Sequence, residues 1–198
     1  MSKEIESYIR AGYPAVVITT AEEDRALTIC KNIATTLKRD FQFWSLTKGI
    51  QKEIKNYDEM SSSQICKEIN HEVNNTNTTM SDPIKVLEQP LKNVPSAGVI
   101  YVLLDFHPFC KTPNTWRRAK DLFKIAKSIG LTYVFVSSKF EVPEELKREV
   151  IMTSLPLPTR EELHVVLQKI ANANRTPIPT TSATKVIPFS CRFLKWLF

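Results

Sequence analysis

The sequence predicts an α/β fold of three layers, in which helices cover both faces of a five-stranded, mostly parallel sheet. Short apolar runs, typical of buried parallel strands, alternate along the chain with segments whose apolar residues recur at helical spacing. The length of 198 residues also suffices to bury about two thirds of the unfolded surface in one core. Strands that alternate with helices favour parallel pairing, because each crossover returns the chain to the same edge of the sheet.

Each predicted strand is rich in apolar, β-branched or aromatic residues and is bounded by polar residues, Gly or Pro. The predicted strands are AVVIT (15–19), FQFWSL (41–46), GVIYVLLD (98–105), LTYVFVSS (131–138) and part of EVIMTSLPL (149–157).

The predicted helices have recognisable first and last residues. Two begin with capping boxes, Thr20–Glu23 and Thr159–Glu162, and a third begins at Pro83 after Asp82. Gly130 is a typical residue to end a fourth. The predicted helices are 4–11, 20–38, 83–89, 116–129 and 159–173.

Two segments lie outside this alternation. Residues 50–81 are polar and are interpreted as an exposed insert with one helical candidate at 63–73. Residues 174–198 join a Pro- and Thr-rich linker to an apolar, basic end, and follow a predicted domain at 1–173. We expect this end to rest on its own domain, with self-association, a partner or a membrane as alternatives.

Composition excludes several classes of protein. The four cysteines are scattered without a C-x-x-C pair, so neither a zinc site nor a disulfide framework is expected. No signal peptide or membrane-spanning window is present, which predicts a soluble intracellular protein.

The helix at 116–129 carries a basic face. The net charge is +6, but no run of five basic residues occurs. We interpret the face as a solvated surface, with docking or nucleic-acid binding as alternatives, and do not expect specific nucleic-acid binding. Its residues are Arg117, Arg118, Lys120, Lys124 and Lys127.

A polar cluster is predicted at the carboxyl edge of the sheet. Asp105 ends an apolar strand, where an ATPase would hold magnesium, and His107 could act as a base. Ser137 and Ser138 end the next strand and should lie close by, since parallel strands end at the same edge. The favoured interpretation is that Asp105 caps the turn at the strand end and that His107 is a hydrogen-bonded turn residue; a metal, substrate or base role is the alternative.

The residues that a phosphate site requires are missing. No G-x-x-x-x-G-K-[ST] occurs, and the first strand leads instead into TTAEEDRA, which places three acids at a helix start. We therefore expect no cofactor and no metal. ATP and magnesium would bind only if Asp105 acts as in an ATPase.

Four segments carry a resemblance to a known family, and they lie within residues 4–170: SYIRAGYPAVVITTAEEDRAL, FWSLTKGI, YVLLDFHPF and EVPEELKREVIMTSLPLPTREEL. They resemble the N-terminal, P-loop-lacking region of the divergent AAA-domain ATPases encoded by plastids and cyanobacteria. The resemblance implies a degenerate AAA core located in bacterial cytoplasm or plastid stroma. It also implies family-motif positions at Asp105 and at Arg160 of LPLPTREEL.

In that family a P-loop-bearing AAA domain follows, whereas residues 174–198 do not match the continuation. The resemblance therefore suggests a shortened relative or a truncated reading frame. The leading hypothesis is a non-catalytic companion module that contacts a protein partner, either an AAA ATPase domain or another copy of itself. The alternatives are an ATP-binding AAA ATPase or small nucleotide-dependent enzyme that uses Asp105, and a nucleic-acid-binding accessory protein.

Overall fold

The structure is a computed structural model that describes residues 2–53 and 82–173. The chain divides into two units, residues 1–155 and 156–198. The described elements of the first unit are α1 (Ser2–Arg10), β1 (Ala15–Thr19), α2 (Glu23–Leu37), β2 (Asp40–Ser45), β3 (Gly49–Gln51), α3 (Pro83–Glu88), β4 (Val99–Leu104), α4 (Pro113–Ile129), β5 (Leu131–Ser137) and β6 (Val150–Ser154). In the second unit, α5 spans Arg160–Ala173.

The strands form one sheet in the order β3-β2-β4-β5-β1-β6. All neighbours pair in parallel except β2 and β3, which are antiparallel. The α/β class, the mostly parallel sheet and the five predicted strands are confirmed. No helix in the described ranges is long and apolar enough to cross a membrane.

The sheet has a sixth strand that the sequence did not predict. Residues 49–51 pair antiparallel with β2, with Gly49 opposite Ser45 and Gln51 opposite Phe43. The polar insert predicted at 50–81 therefore begins inside the sheet, because backbone pairing with β2 can hold three residues that carry no strand pattern. The helix predicted at 63–73 and the segment 174–198 lie outside the described residues.

Two helices begin elsewhere than predicted. The capping box at Thr20 does not form. Glu22 is the N-cap of α2 without a side-chain cap bond, and the Thr20 hydroxyl accepts from the Glu22 N–H at 3.0 Å, which closes a turn before the helix. The helix predicted at 116 begins three residues earlier, because Pro113 occupies a first-turn position where it sacrifices no hydrogen bond.

The core has two layers because successive strand residues point to opposite faces of the sheet. Along β1, Val16 and Ile18 face the layer that contains α1 and α2, while Ala15 and Val17 face the layer that contains α3 and α4. All four are fully buried. A strand buried on both faces favours apolar residues at most positions, which explains the unbroken run AVVI.

The sheet has a topological switch point at its carboxyl edge. The connection after β1 leads past β5 and β4 to β2, whereas the connection after β5 leads past β1 to β6. Ligands of open α/β sheets bind where connections diverge in this way. The ends of β1, β4 and β5 are therefore the place to examine for function.

Candidate functional site: the strand-end cluster

Backbone hydrogen bonds join the three strand ends beyond the last paired residues. The Asp105 N–H donates to the carbonyl of Val136 at 2.9 Å, and the Thr20 N–H donates to the carbonyl of Ser137 at 3.0 Å. These bonds determine where each chain turns out of the sheet. The side chains that follow the strands are thus held by the sheet itself.

Asp105 turns the chain sharply at the end of β4. Its φ is +46°, in the left-handed region that few side chains adopt. Aspartate tolerates this region better than most residues, because its short polar side chain can bond locally. The turn sends Phe106 back into the core and brings the Asp105 carboxylate beside Ser137.

Ser137 connects the predicted residues of this edge. Its side chain is only 1% exposed, and its Oγ lies 3.2 Å from Asp105 Oδ1, 2.8 Å from His107 Nδ1 and 3.0 Å from the Lys139 carbonyl. The structure thus brings Asp105, His107 and Ser137 together. Ser138, the next residue, is exposed.

The geometry assigns the tautomer of a neutral His107. A hydroxyl has a single proton, and both the Asp105 carboxylate and the Lys139 carbonyl can only accept. All three contacts are satisfied when the Ser137 proton points to one of these oxygens and His107 Nδ1–H donates to Ser137 Oγ. This leaves His107 Nε2 as the basic nitrogen of the ring.

This arrangement differs from that of a hydrolase. A nucleophilic serine needs an exposed Oγ and an imidazole nitrogen that accepts its proton. Ser137 is buried, and the imidazole nitrogen beside it is a donor. Ser137 acts here as an anchor that holds the His107 ring and the Asp105 turn in place.

Glu23 is a member of the cluster that the sequence analysis missed. It is the first residue of α2, and its carboxyl lies close enough to that of Asp105 for the two to interact. Partial burial and, secondarily, the charge and hydrogen bond of Asp105 raise the pKa of Glu23, and Asp24 adds to the effect. Protonated Glu23 can donate to the Asp105 carboxylate, so the two form an acid pair. The Glu-Glu-Asp run after β1 was the available signal.

The acid pair predicts a pH-dependent stability. A carboxyl whose pKa is raised by folding stabilises the fold below the unfolded-state pKa, and this contribution is lost as the pH rises through the folded-state pKa. Glu23→Gln keeps a neutral donor beside Asp105. We expect it to raise the urea midpoint at neutral pH and to match the natural protein at pH values below the ordinary glutamate pKa.

Asp121→Asn is the control for this comparison. It removes another helix carboxylate, which pairs with Arg117 at 2.9 Å on the exposed side of α4. We expect little change in the urea midpoint at either pH. A lower midpoint for Glu23→Gln at neutral pH would show that the charged form of Glu23 is the stabilising one.

Most of the predicted basic face is already paired. Arg117 pairs with Asp121, Arg118 donates to Glu88 Oε1 at 2.6 Å, and Lys120 donates to the Glu145 carbonyl at 2.9 Å. Lys124 and Lys127 are exposed. The face therefore offers phosphates fewer available charges than its sequence suggests.

Reversing the two exposed lysines tests the basic face without breaking a hydrogen bond or ion pair within residues 2–53 and 82–173. We expect Lys124→Glu with Lys127→Glu to change the free energy of unfolding by within about 0.5 kcal/mol per residue. Retention on DNA-coated resin at physiological salt should be equally weak before and after the change. A large loss of retention would instead identify the face as a nucleic-acid surface.

A cleft lies beside the strand-end cluster and has a volume of about 750 Å³. We call it the His107 cleft; it lies between the turn after β4, the first turns of α4 and the segment after β5. It is lined by His107, Cys110, Lys111, Trp116, Lys139, Glu141, Val142, Pro143 and Glu144. Among the residues that the structure describes, no group of three His, Cys, Asp or Glu could hold a metal ion.

Comparison with known proteins shows where this chain belongs. The model of the SpoVK-like AAA ATPase N-terminal domain matches residues 1–155. The chain belongs to this family. The match covers the whole unit that contains the sheet and the strand-end cluster, and the resemblance to the N-terminal region of AAA-domain ATPases is confirmed. Arg160, the other family-motif position, lies outside the match and is an exposed residue at the start of α5.

Curated relatives of this SpoVK-like N-terminal domain are AAA domain-containing proteins named ycf46. That of Trieres chinensis is 24% identical over 171 residues, which is 86% of this chain and 31% of the relative. That of Guillardia theta is 22% identical over 189 residues, which is 95% of this chain and 34% of the relative. The chain thus spans about a third of the length of these relatives.

Two solved structures are similar at lower sequence identity. A DNA replication initiation factor superimposes with a TM-score of 0.48 at 9% identity, covering 98% of this chain and 59% of that one. The HORMA:CdnC:Trip13 complex of E. coli MS115-1 gives 0.49 at 12% identity, covering 88% of this chain and 58% of the other.

Proposed function

We propose that this N-terminal domain is a non-catalytic companion module of an AAA ATPase and acts through contacts with a protein partner, either an ATPase domain or another copy of the chain. The observation that carries the proposal is the acid pair of Glu23 and Asp105. It lies at the start of the helix that follows β1, which is where phosphates would bind in a nucleotide-binding relative of this fold.

Phosphate binding at this point requires free backbone donors and a positive helix end. The connection between β1 and α2 is three residues long, Thr20 to Glu22, and contains no glycine. Glu23 and Asp24 in the first turn of α2 compensate the helix dipole, and Asp105 adds a third carboxyl. A nucleotide would meet negative charge where it needs positive charge.

The residue after Asp105 also supports a non-catalytic role. An ATPase commonly has a carboxylate or amide near this position to orient the attacking water. Here Phe106 is 1% exposed and packs against Trp44, with ring centroids 5.8 Å apart. The strand end thus contributes to the core at the position where a catalytic side chain would be required.

Calorimetry tests the proposal directly. We expect no heat of binding from millimolar Mg-ATP, because both the acid pair and the short connection oppose phosphate. Glu23→Gln with Asp105→Asn should still not bind, since removing charge does not create a glycine-rich loop. Micromolar ATP affinity that disappears in Asp105→Ala would overturn the proposal in favour of a nucleotide-dependent enzyme.

A further inference from the structure

The His107 cleft has one apolar side with a fixed shape. Trp116 packs edge-on against Phe140 at 6.3 Å, and Phe140 is buried against Phe135 at 5.3 Å. Val142 also packs on the core, and Pro143 adds a rigid ring beside it. An indole held in this way presents contact area to a ligand at little cost in conformational entropy.

The thiol of Cys110 belongs to this apolar side. Its Sγ lies 3.5 Å from the Phe106 carbonyl, and burial raises its pKa to about 12. The thiolate is therefore absent at neutral pH, and Cys110 acts as a small apolar side chain. The cleft offers packing at this point, not covalent chemistry.

The lysines and glutamates that line the cleft are equal in number, but the described ion pairs leave one of the two lysines without a carboxylate. Lys139 pairs with Glu141 at 3.3 Å, and Glu144 pairs with Lys147. Lys111 is exposed and has no carboxylate within ion-pair distance in the described ranges. His107 stands at the other end of the same short turn, with its Nδ1 held by Ser137. A carboxylate on a ligand would give Lys111 an ion-pair partner.

The openness of the cleft indicates the kind of ligand. Small-molecule sites bury most of their ligand. Here Lys139 and Glu141 are 80% and 83% exposed, so one side of the cleft is open to solvent. A peptide segment tolerates such a site, since the partner protein supplies the rest of its contacts. The volume of about 750 Å³ accommodates two side chains of an extended segment.

We propose that the His107 cleft binds an extended peptide segment in which an apolar side chain adjoins a carboxylate. The apolar side chain packs on Trp116 and Pro143, and the carboxylate meets Lys111. This proposal rests on the proposed function in taking a protein as the partner, and it names the surface and the chemistry of that contact.

The test uses the full chain, labelled with ¹⁵N, and three capped dipeptides. N-acetyl-Phe-Asp-amide carries both features, N-acetyl-Phe-Asn-amide lacks the charge and N-acetyl-Ala-Asp-amide lacks the apolar anchor. We expect Phe-Asp to shift the Trp116 indole resonance with a millimolar Kd. We expect the Kd of each of the other two peptides to be higher by about threefold or more, because one peptide lacks the exposed charge pair and the other lacks the apolar contact.

Lys111→Ala should abolish the preference for Asp over Asn, whereas Lys124→Ala, an exposed lysine on the outer side of α4, should preserve it. Equal affinities for the three peptides, or shifts remote from Trp116, overturn the proposal. Titrating Mg-ATP into the same sample separates the two proposals. If no peptide shifts the Trp116 resonance and Mg-ATP does not bind, only the peptide-site proposal fails. If Mg-ATP binds, the companion-module proposal fails.

Discussion

Replacing Gly98 with alanine is expected to lower the free energy of unfolding by about 2–5 kcal/mol. Gly98 has a φ of +87°, and a Cβ at this position would lie 2.4 Å from the carbonyl oxygen of Gly130. A side chain in the left-handed region costs about 1–2 kcal/mol. Overpacking against a neighbour adds about 1–3 kcal/mol.

The backbone near Gly98 cannot move aside without disrupting the sheet. The Gly98 carbonyl accepts from the Asp40 N–H at 3.0 Å, and the Gly130 carbonyl accepts from the Val99 N–H at 3.2 Å. These bonds join the beginnings of β2, β4 and β5. Relieving the clash would therefore weaken pairing among three strands, which is why the larger end of the range is expected.

Gly12→Ala is the matched control. Gly12 also has a positive φ, +77°, but an added Cβ would meet no atom of the described residues within 4 Å, its chain neighbours aside. Its cost should be the conformational term alone, about 1–2 kcal/mol. Urea unfolding of the two variants measures the difference. Equal losses of unfolding free energy in the two variants would show that the backbone at Gly130 shifts to accommodate the added Cβ at little cost.

The strands were predictable because a parallel strand covered on both faces has few polar positions. AVVIT and VIYVLL are almost wholly apolar, as this burial requires. Both form strands within one residue of the predicted bounds. The three-residue β3 carries no comparable signal. It exists because β2 presents an edge with which residues 49–51 can pair, and that is a property of the folded sheet.

Part of the candidate site follows from the same reasoning. Once two adjacent parallel strands are predicted to end at Asp105 and at Ser137–Ser138, the proximity of these residues is implied by the shared edge. The contact of Glu23 with Asp105 is not implied, because it depends on the exact residue at which α2 begins. A helix capped at Thr20, as the sequence suggests, would have placed Glu23 in a different position around the helix axis.

The His107 cleft was beyond prediction for a related reason. Its lining comes from three segments, and its shape depends on how Trp116 packs against Phe140 and how the turn after β5 carries Val142. The basic residues of α4 were predictable instead, because charge is visible in a sequence while the pairing of Arg118 with the distant Glu88 is not. Surfaces made by packing and by ion pairing require the structure.

Tyr133→Phe is expected to cost about 1–3 kcal/mol of unfolding free energy, because it removes a buried hydrogen bond. The Tyr133 hydroxyl donates to the Leu87 carbonyl at 2.7 Å and joins β5 to α3 across the layer that contains α4. The residue is fully buried, so no solvent replaces the lost donor.

Tyr101→Phe provides a matched comparison within the same layer of the core. Tyr101 lies opposite Tyr133 on β4, is equally buried, and packs edge-on against it with ring centroids 6.1 Å apart. Its hydroxyl has no hydrogen-bond partner in the described part of the chain. Because each variant deletes one buried oxygen, the change in volume is the same. Only the hydrogen bond differs.

The two tyrosines should therefore respond in opposite ways. Tyr101→Phe removes a desolvated hydroxyl that bonds nothing, so we expect stability to be unchanged or slightly higher. Burial raises the pKa of both tyrosines above the ordinary value, so the contrast should persist into mildly alkaline solution. Urea midpoints measured at two pH values test it. Equal destabilisation by both variants would mean that the Tyr101 hydroxyl is bonded in solution, and would locate a polar partner inside the apolar layer.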